Sequence, residues 1–346
     1  MPDPTDVSRQ SALVQASAAR LPIRSAQEES SGGPKYYDVP LLQKPVWRWE
    51  IASYFFLGGL SAGSYIISRL ARHFISSDGG SLERTAAVIA ATAVVPCAPL
   101  LIIDLGDPKR FHHMLRVVKL SSPMNLGAWA LTGFSIAATC NAGAALLPGA
   151  GRQLAARTGA RHYGPAAFAA DAAGIPLALV MAGYTGVLLS ATSTPIWCRS
   201  MWLGPLFSTS SLSAGTSAIS LVIHGRRLLN GRTHRDAAAG KLKTVDAVLH
   251  MAEAATLAGY IKSAGELAKP LTQGRRKPML AVAIGGMVAA TILNEIPARG
   301  QTKNALKVAS ALCGLAGAFA LRWAIVYAGH DSAADPAAAR QVSKAK

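Results

Sequence analysis

From about residue 50 to the C-terminal region, apolar residues gather into blocks separated by short stretches rich in Lys, Arg, Pro and Gly. Each block is long enough to cross a hydrocarbon layer about 30 Å thick, for which about 20 helical residues suffice. The pattern predicts eight spans: Glu50 to Leu70, Ala86 to Ile103, Leu126 to Leu147, Ala172 to Ser190, Trp202 to Ile223, Val245 to Ile261, Met279 to Pro297 and Lys307 to Ala328. No block alternates polar and apolar positions as a barrel strand does. A helix satisfies its own backbone amides in lipid, so the expected class is all-α, a polytopic integral membrane helical bundle.

Two spans carry polar interruptions. The sixth holds His250 and Glu253, and the eighth holds Arg322; Glu295 lies near the end of the seventh. Ionisable groups in hydrocarbon are tolerated when they face a bundle interior or a water-filled cavity. They mark these spans as inward-facing helices, and the four residues as candidates for a proton pathway or for buried pairs such as Glu253 or Glu295 with Arg322. His224 falls in a loop by this reading, which leaves His250 without a facing partner for haem. Gly59 and Gly63, with Ser61 and Ala62 between them, have the spacing that lets two helix backbones approach closely. Pro96, Pro99 and Pro176 are expected to bend their helices.

Composition agrees with a membrane protein: 51% of residues are hydrophobic and 15% charged, against about 25% charged in soluble domains. The net charge of +17 lies mainly between the apolar blocks, where it meets anionic lipid or an acidic partner, and no basic stripe with interleaved aromatics suggests nucleic acid. Lys and Arg are shared about equally between the two sets of loops, so the charge rule sets no orientation. Cys97, Cys140, Cys198 and Cys313 are far apart and form no CxxC, so no internal cluster is expected. Residues 1–34 read as a flexible N-terminal tail, 35–331 as one membrane domain and 332–346 as a C-terminal tail.

The first span opens with Trp47, Trp49, Glu50 and Tyr54, and the last two share one helical face at i, i+4. A carboxylate at the membrane boundary can exchange a proton with a hydroquinone hydroxyl; it can also simply cap the helix, while tryptophans often form an interfacial belt. The second span is followed at once by Asp104, Leu105, Gly106, Asp107, Pro108, Lys109, Arg110 and Phe111, on the N-terminal side if the span count holds. Asp104 accepts hydrogen bonds when ionised and donates one when protonated, which suits a ligand that changes redox state. Capping, or pairing with Lys109 or Arg110, is the alternative.

That Asp-Leu-Gly-x-Pro-x-Arg-Phe run does not stand alone. With it come Ser122-Pro123-Met124-Asn125-Leu126-Gly127-Ala128-Trp129, the stretch from Tyr36-Tyr37 through Pro45-Val46-Trp47-Arg48-Trp49-Glu50 to Phe55-Phe56-Leu57-Gly58-Gly59-Leu60, the segment Tyr184 to Thr192, and Leu321-Arg322-Trp323 with Gly329-His330-Asp331-Ser332. In this order the five segments resemble the NrfD/polysulfide reductase membrane subunit family, over nearly the whole chain after residue 35.

The resemblance implies a quinone/quinol-binding subunit, for menaquinone or ubiquinone, in a bacterial inner membrane. It implies a four-cluster ferredoxin-like iron-sulfur partner and, beyond that, a molybdopterin-type catalytic subunit or a multihaem cytochrome; the metal centres belong to the partners. By the motif match, Glu50, Tyr54 and Asp104 frame the quinone, with Asn125 a further candidate. Where some relatives place a histidine near the pocket, this chain has Tyr54, a poorer base at neutral pH, so proton acceptance falls to Glu50 or Asp104. A proton channel or transporter, and a purely structural anchor for a peripheral oxidoreductase, are the other function classes.

Overall fold

A computed structural model describes residues 42–74, 80–106, 108–116, 118–119, 121–146, 165–198, 200–231 and 237–344; the predicted N-terminal tail, Tyr36-Tyr37 and Asp107 lie outside them. The described residues are helical and contain no strand. The long helices are α1 (Trp49–Phe74), α2 (Gly80–Val94) with α3 (Cys97–Asp104), α5 (Pro123–Leu146), α6 (Pro165–Ser190), α7 (Leu203–Leu229), α8 (Ala237–Ala264), α10 (Lys277–Glu295) and α11 (Gly300–Ala333). Short α4 (His113–Arg116) and α9 (Lys269–Thr272) lie in connections, and α12 (Pro336–Lys344) continues the chain as helix through the stretch expected to be a tail.

Among the described residues six helical segments are long and apolar enough to cross a membrane: Trp49–Arg72, Ser81–Asp104, Ala172–Ser190, Leu203–Leu229, Lys277–Glu295 and Gly300–Ala333. The expected count of about eight is therefore met only in part. The predicted third and sixth spans do form helices, α5 and α8, but Asn125 and Asn141 in α5 and Asp246, His250 and Glu253 in α8 dilute their apolar character. The predicted second span is divided. Pro96 has no amide to donate and the ring of Pro99 crowds the carbonyl four residues earlier, so the ladder breaks after Val94 and resumes with Leu100 N–H on Pro96 O at 3.0 Å.

The helices form two four-membered rings. In the first, α1 packs on α2, α2 on α5, α5 on α6 and α6 on α1; in the second, α7 packs on α8, α8 on α10, α10 on α11 and α11 on α7. Helix α1 packs against both α7 and α11, which joins the rings. Lipid tails are as apolar as leucine, so helices gain little by hiding leucine from them, and close packing decides instead. Gly63 shows how: a Cβ there would overlap the Ser211 backbone, and a Cβ on Gly215 would overlap Gly63 and Ser64. Gly59 leaves room for Ser211 Oγ and the Arg322 guanidinium. Gly286 and Gly317 bring α10 and α11 together in the same way. Buried hydroxyls cross between helices, Ser61 Oγ to Ala90 O at 2.6 Å and Ser310 Oγ to Ala290 O at 2.7 Å.

Candidate functional site

One end of the bundle collects the start of α1, the end of α3, the start of α5, the α6–α7 connection and the end of α11. The sequence places Glu50 and Tyr54 one turn apart on α1, and both are buried there, at 8% and 3% exposure. Asp104, half-buried at the tip of α3, is within electrostatic reach of Glu50 and of Arg48. Two carboxyls from separate helices thus share this end of the bundle, close enough for Asp104 to feel the charges of Glu50 and Arg48. Glu50 Oε2 is buried without a hydrogen-bond partner among the described residues. A buried polar atom normally finds a partner, and this oxygen has the capacity to accept from a hydroxyl when ionised or to donate to a carbonyl when protonated.

One turn deeper, the Tyr54 ring borders Gly58 together with Cys97 Sγ and Met181 Cε. Tyr184 comes close to Tyr54 from α6, and its hydroxyl donates to Pro123 O while its ring fills the space above Gly127. That contact explains why Tyr184 and Gly127 occur together among the motif segments. Asn125 turns to the loop instead: its Oδ1 accepts the Lys119 amide at 2.8 Å, which anchors the chain entering α5.

Aromatic residues brace the same end. Trp47 stacks on the fully buried Trp197, with centroids 5.6 Å apart, and Trp197 Nε1 donates to Ile325 O at 2.9 Å. Gly329 has no side chain because the Trp197 ring occupies that space. Tyr260 Oη donates to Ile196 O at 2.9 Å, and Ser332 Oγ accepts the Ile196 amide at 3.2 Å. Asp331 receives Arg276 at 2.8 and 3.4 Å. The ring of His330 is hydrogen-bonded to the Trp47 backbone and its Nε2 is buried without a partner among the described residues. His330 belongs to a motif segment without being a candidate site residue in the sequence, and Trp197 does not stand out there, its one signal being its place two residues after Pro195 in an inter-span gap.

The interior candidates separate. Arg322, fully buried, donates to Phe55 O (3.0 Å), Ser210 Oγ (2.7 Å), Ala318 O (3.1 Å) and Ser211 Oγ (3.0 Å), and lies over the Phe207 ring. Carbonyls and hydroxyls hold it, with Glu253 near enough to act electrostatically. Glu295 does not pair with Arg322: it is exposed and bonds Lys243 at 2.8 Å at the far end of the bundle. The chain length between these ends separates them by several helical turns. His250 is buried on α8 and shares Nδ1 with Ser213 Oγ at 3.2 Å. His224 is not in a loop; it is buried within α7, because that helix runs on to Leu229, and bonds Asn304 at 3.0 Å.

A cavity of about 190 Å³ lies at the Glu50 end, lined by residues including Ile196, Cys198, Met201, Trp202 and Ser263, but not by Glu50, Tyr54 or Asp104. Among the described residues no three His, Cys, Asp or Glu side chains converge to hold a metal ion.

Known proteins share this arrangement of segments. Residues 39–333 match the family model described as Polysulphide reductase, NrfD. Over 311 residues the sequence is 31% identical to the C subunit of the polysulfide reductase of Wolinella succinogenes, covering 82% of this protein and 94% of that one. It is 34% identical over 85 residues to protein NrfD of Escherichia coli, covering 24% of this protein and 27% of that one. The converging carboxyls, the aromatic brace and the motif segments that build them extend over a membrane helix bundle matched from end to end, and the chain belongs to the NrfD polysulphide reductase family.

Proposed function

We propose that this chain is the quinone-binding membrane subunit of an oxidoreductase complex, exchanging electrons between the quinone pool and an iron-sulfur partner docked at the Glu50 end. The observation that carries the reading is Glu50 Oε2, buried and unpartnered within electrostatic reach of Asp104. Quinone reduction needs two electrons and two protons at the ring oxygens, and carboxyls that alternate between donor and acceptor can handle those protons. Tyr54 adds a hydroxyl one turn deeper, and Arg48 offsets negative charge. A ferredoxin-like subunit supplies the electron path, with a molybdopterin-type subunit or multihaem cytochrome behind it; the setting is the bacterial inner membrane.

The test is binding of a quinone analogue to the purified protein. Wild type is expected to bind saturably. Asp104→Ala removes a hydrogen bond to a charged group, worth about 1.5–3 kcal/mol, and so weakens binding by roughly 10- to 150-fold with helicity and detergent melting unchanged. A well-folded wild type that binds no quinone, alone or with its partner, overturns the reading in favour of an anchor.

A further inference from the structure

The second helix ring holds a set of polar groups far from Glu50. Along one face of α7, Ser210, Ser213 and Thr216 are buried at i, i+3 and i+6, and each meets a titratable side chain. Ser210 Oγ accepts from Arg322 at 2.7 Å, Ser213 Oγ lies 3.2 Å from His250 Nδ1, and Thr216 Oγ1 donates to Asp246 Oδ1 at 2.5 Å. Asp246 and His250 are one turn apart on α8, with Oδ1 4.0 Å from Nδ1. Asn294 of α10 donates to the other Asp246 oxygen at 3.4 Å, and its own carbonyl groups take the buried Lys307 ammonium.

Two further observations point to exchange with water. His250 Nε2 is buried, at 2% residue exposure, and has no hydrogen-bond partner among the described residues. It faces Gly314, where a Cβ would lie 3.4 Å from it and 2.5 Å from Ser217 Oγ, so the glycine makes room for both side chains. A small cleft of about 10 Å³, room for about one water, is lined by Ser220, His224, Lys243, Asp246, Asn294 and Lys307. It lies at the bundle end where Lys243 and Glu295 are exposed, opposite Glu50. A pair serving packing alone would have its polar atoms satisfied; ionisable groups kept in a membrane interior beside water commonly carry protons.

We propose that Asp246 and His250 form a proton-exchange site reached by water through this cleft. A proton taken up from the cleft by the Asp246 carboxylate passes to Nδ1 of the neutral imidazole and returns to the cleft by the same route, which restores carboxylate and neutral imidazole with Nε2–H unchanged. One proton enters and one leaves. The charged groups around the pair are Lys307 and Arg322 from α11, Lys243 and Glu253 from α8 and Glu295 from α10, while α7 presents hydroxyls and His224. The proposal does not depend on quinone binding.

The full-length protein in lipid vesicles is treated with dicyclohexylcarbodiimide, which modifies protonated carboxyls in apolar surroundings, and modified residues are mapped by mass spectrometry. Asp246 is expected to be modified severalfold more at pH 6 than at pH 9. His250→Gln removes the imidazole that exchanges a proton with the carboxyl and is expected to change that ratio at least about twofold. Absence of modification at Asp246, equal modification at both pH values, or an unchanged ratio in a folded His250→Gln protein overturns the proposal. The wild-type comparison alone decides it if that variant fails to fold.

Discussion

At the scale of single residues, the two most informative side chains carry opposite kinds of polar accounting. Arg322 is satisfied on every side by fixed carbonyls and hydroxyls, whereas Glu50 keeps one oxygen free of described partners. The first holds helices together, and the second is the group we propose meets a ligand. Arg322→Met would strip Ser210 Oγ of its hydrogen-bond partner and remove the cross-helix bonds to Phe55 O and Ser211 Oγ, at about 1–3 kcal/mol for an unsatisfied buried group, so thermal unfolding in detergent is expected at clearly lower temperature. Tyr54→Phe removes only a hydroxyl. If that hydroxyl bonds the quinone, binding falls by roughly fivefold, the worth of about 1 kcal/mol, and titration with a quinone analogue reads the change; equal affinity in the two proteins removes Tyr54 from the site.

At the scale of elements, Pro96 and Pro99 set where Asp104 points. They end α2 and restart the chain as α3, which carries Asp104 toward Glu50. Replacing both prolines with alanine lets one helix run through, at no cost in propensity and with a gain of backbone bonding. The expected result is a protein that melts no lower than wild type but binds the quinone analogue at least about tenfold more weakly, since moving a charged partner forfeits more than about 1.4 kcal/mol. Gly63 acts on a different contact. Gly63→Leu would force α1 away from Ser211 on α7, and overpacking of this kind costs about 1–3 kcal/mol; loss of monodisperse protein in gel filtration or a lowered melting temperature would show it.

At the scale of the whole molecule, two rings meet along α1 and α7, with converging carboxyls at one end and the Asp246–His250 pair toward the other. This arrangement has a topological consequence. Val46 and Glu266 lie at one end of the bundle and Asn230 at the other, and we propose that α5 and α8 cross alongside the six more apolar segments. In a background with the four native cysteines replaced by serine, cysteines placed at Val46 and Glu266 are expected to react with an impermeant thiol reagent from one face of sealed vesicles, and a cysteine at Asn230 from the other. Labelling of Glu266→Cys and Asn230→Cys from the same face would show that α8 does not cross.

The membrane class, the helical nature of the spans, the family motifs and the pairing of Glu50 with Tyr54 on one face follow from local rules. Apolar block length, helical periodicity and short motifs are properties of neighbouring residues, and the bilayer requires backbone bonds to close within each segment. The rest depends on which helices touch. Asp104 comes within electrostatic reach of Glu50, Trp197 fills the space over Gly329, and Arg322 rests on Phe55 O instead of on Glu295, all through residues tens or hundreds of positions apart. His224 is hidden for a simpler reason, since the basic residues after it look like the end of a span although helix α7 runs on past them. Asp246 is inconspicuous as a charged residue at the margin of a weak span; a hydropathy pattern reports how apolar a segment is but not which side of a helix its neighbours cover, and only packing against α7 and α10 turns that margin inward.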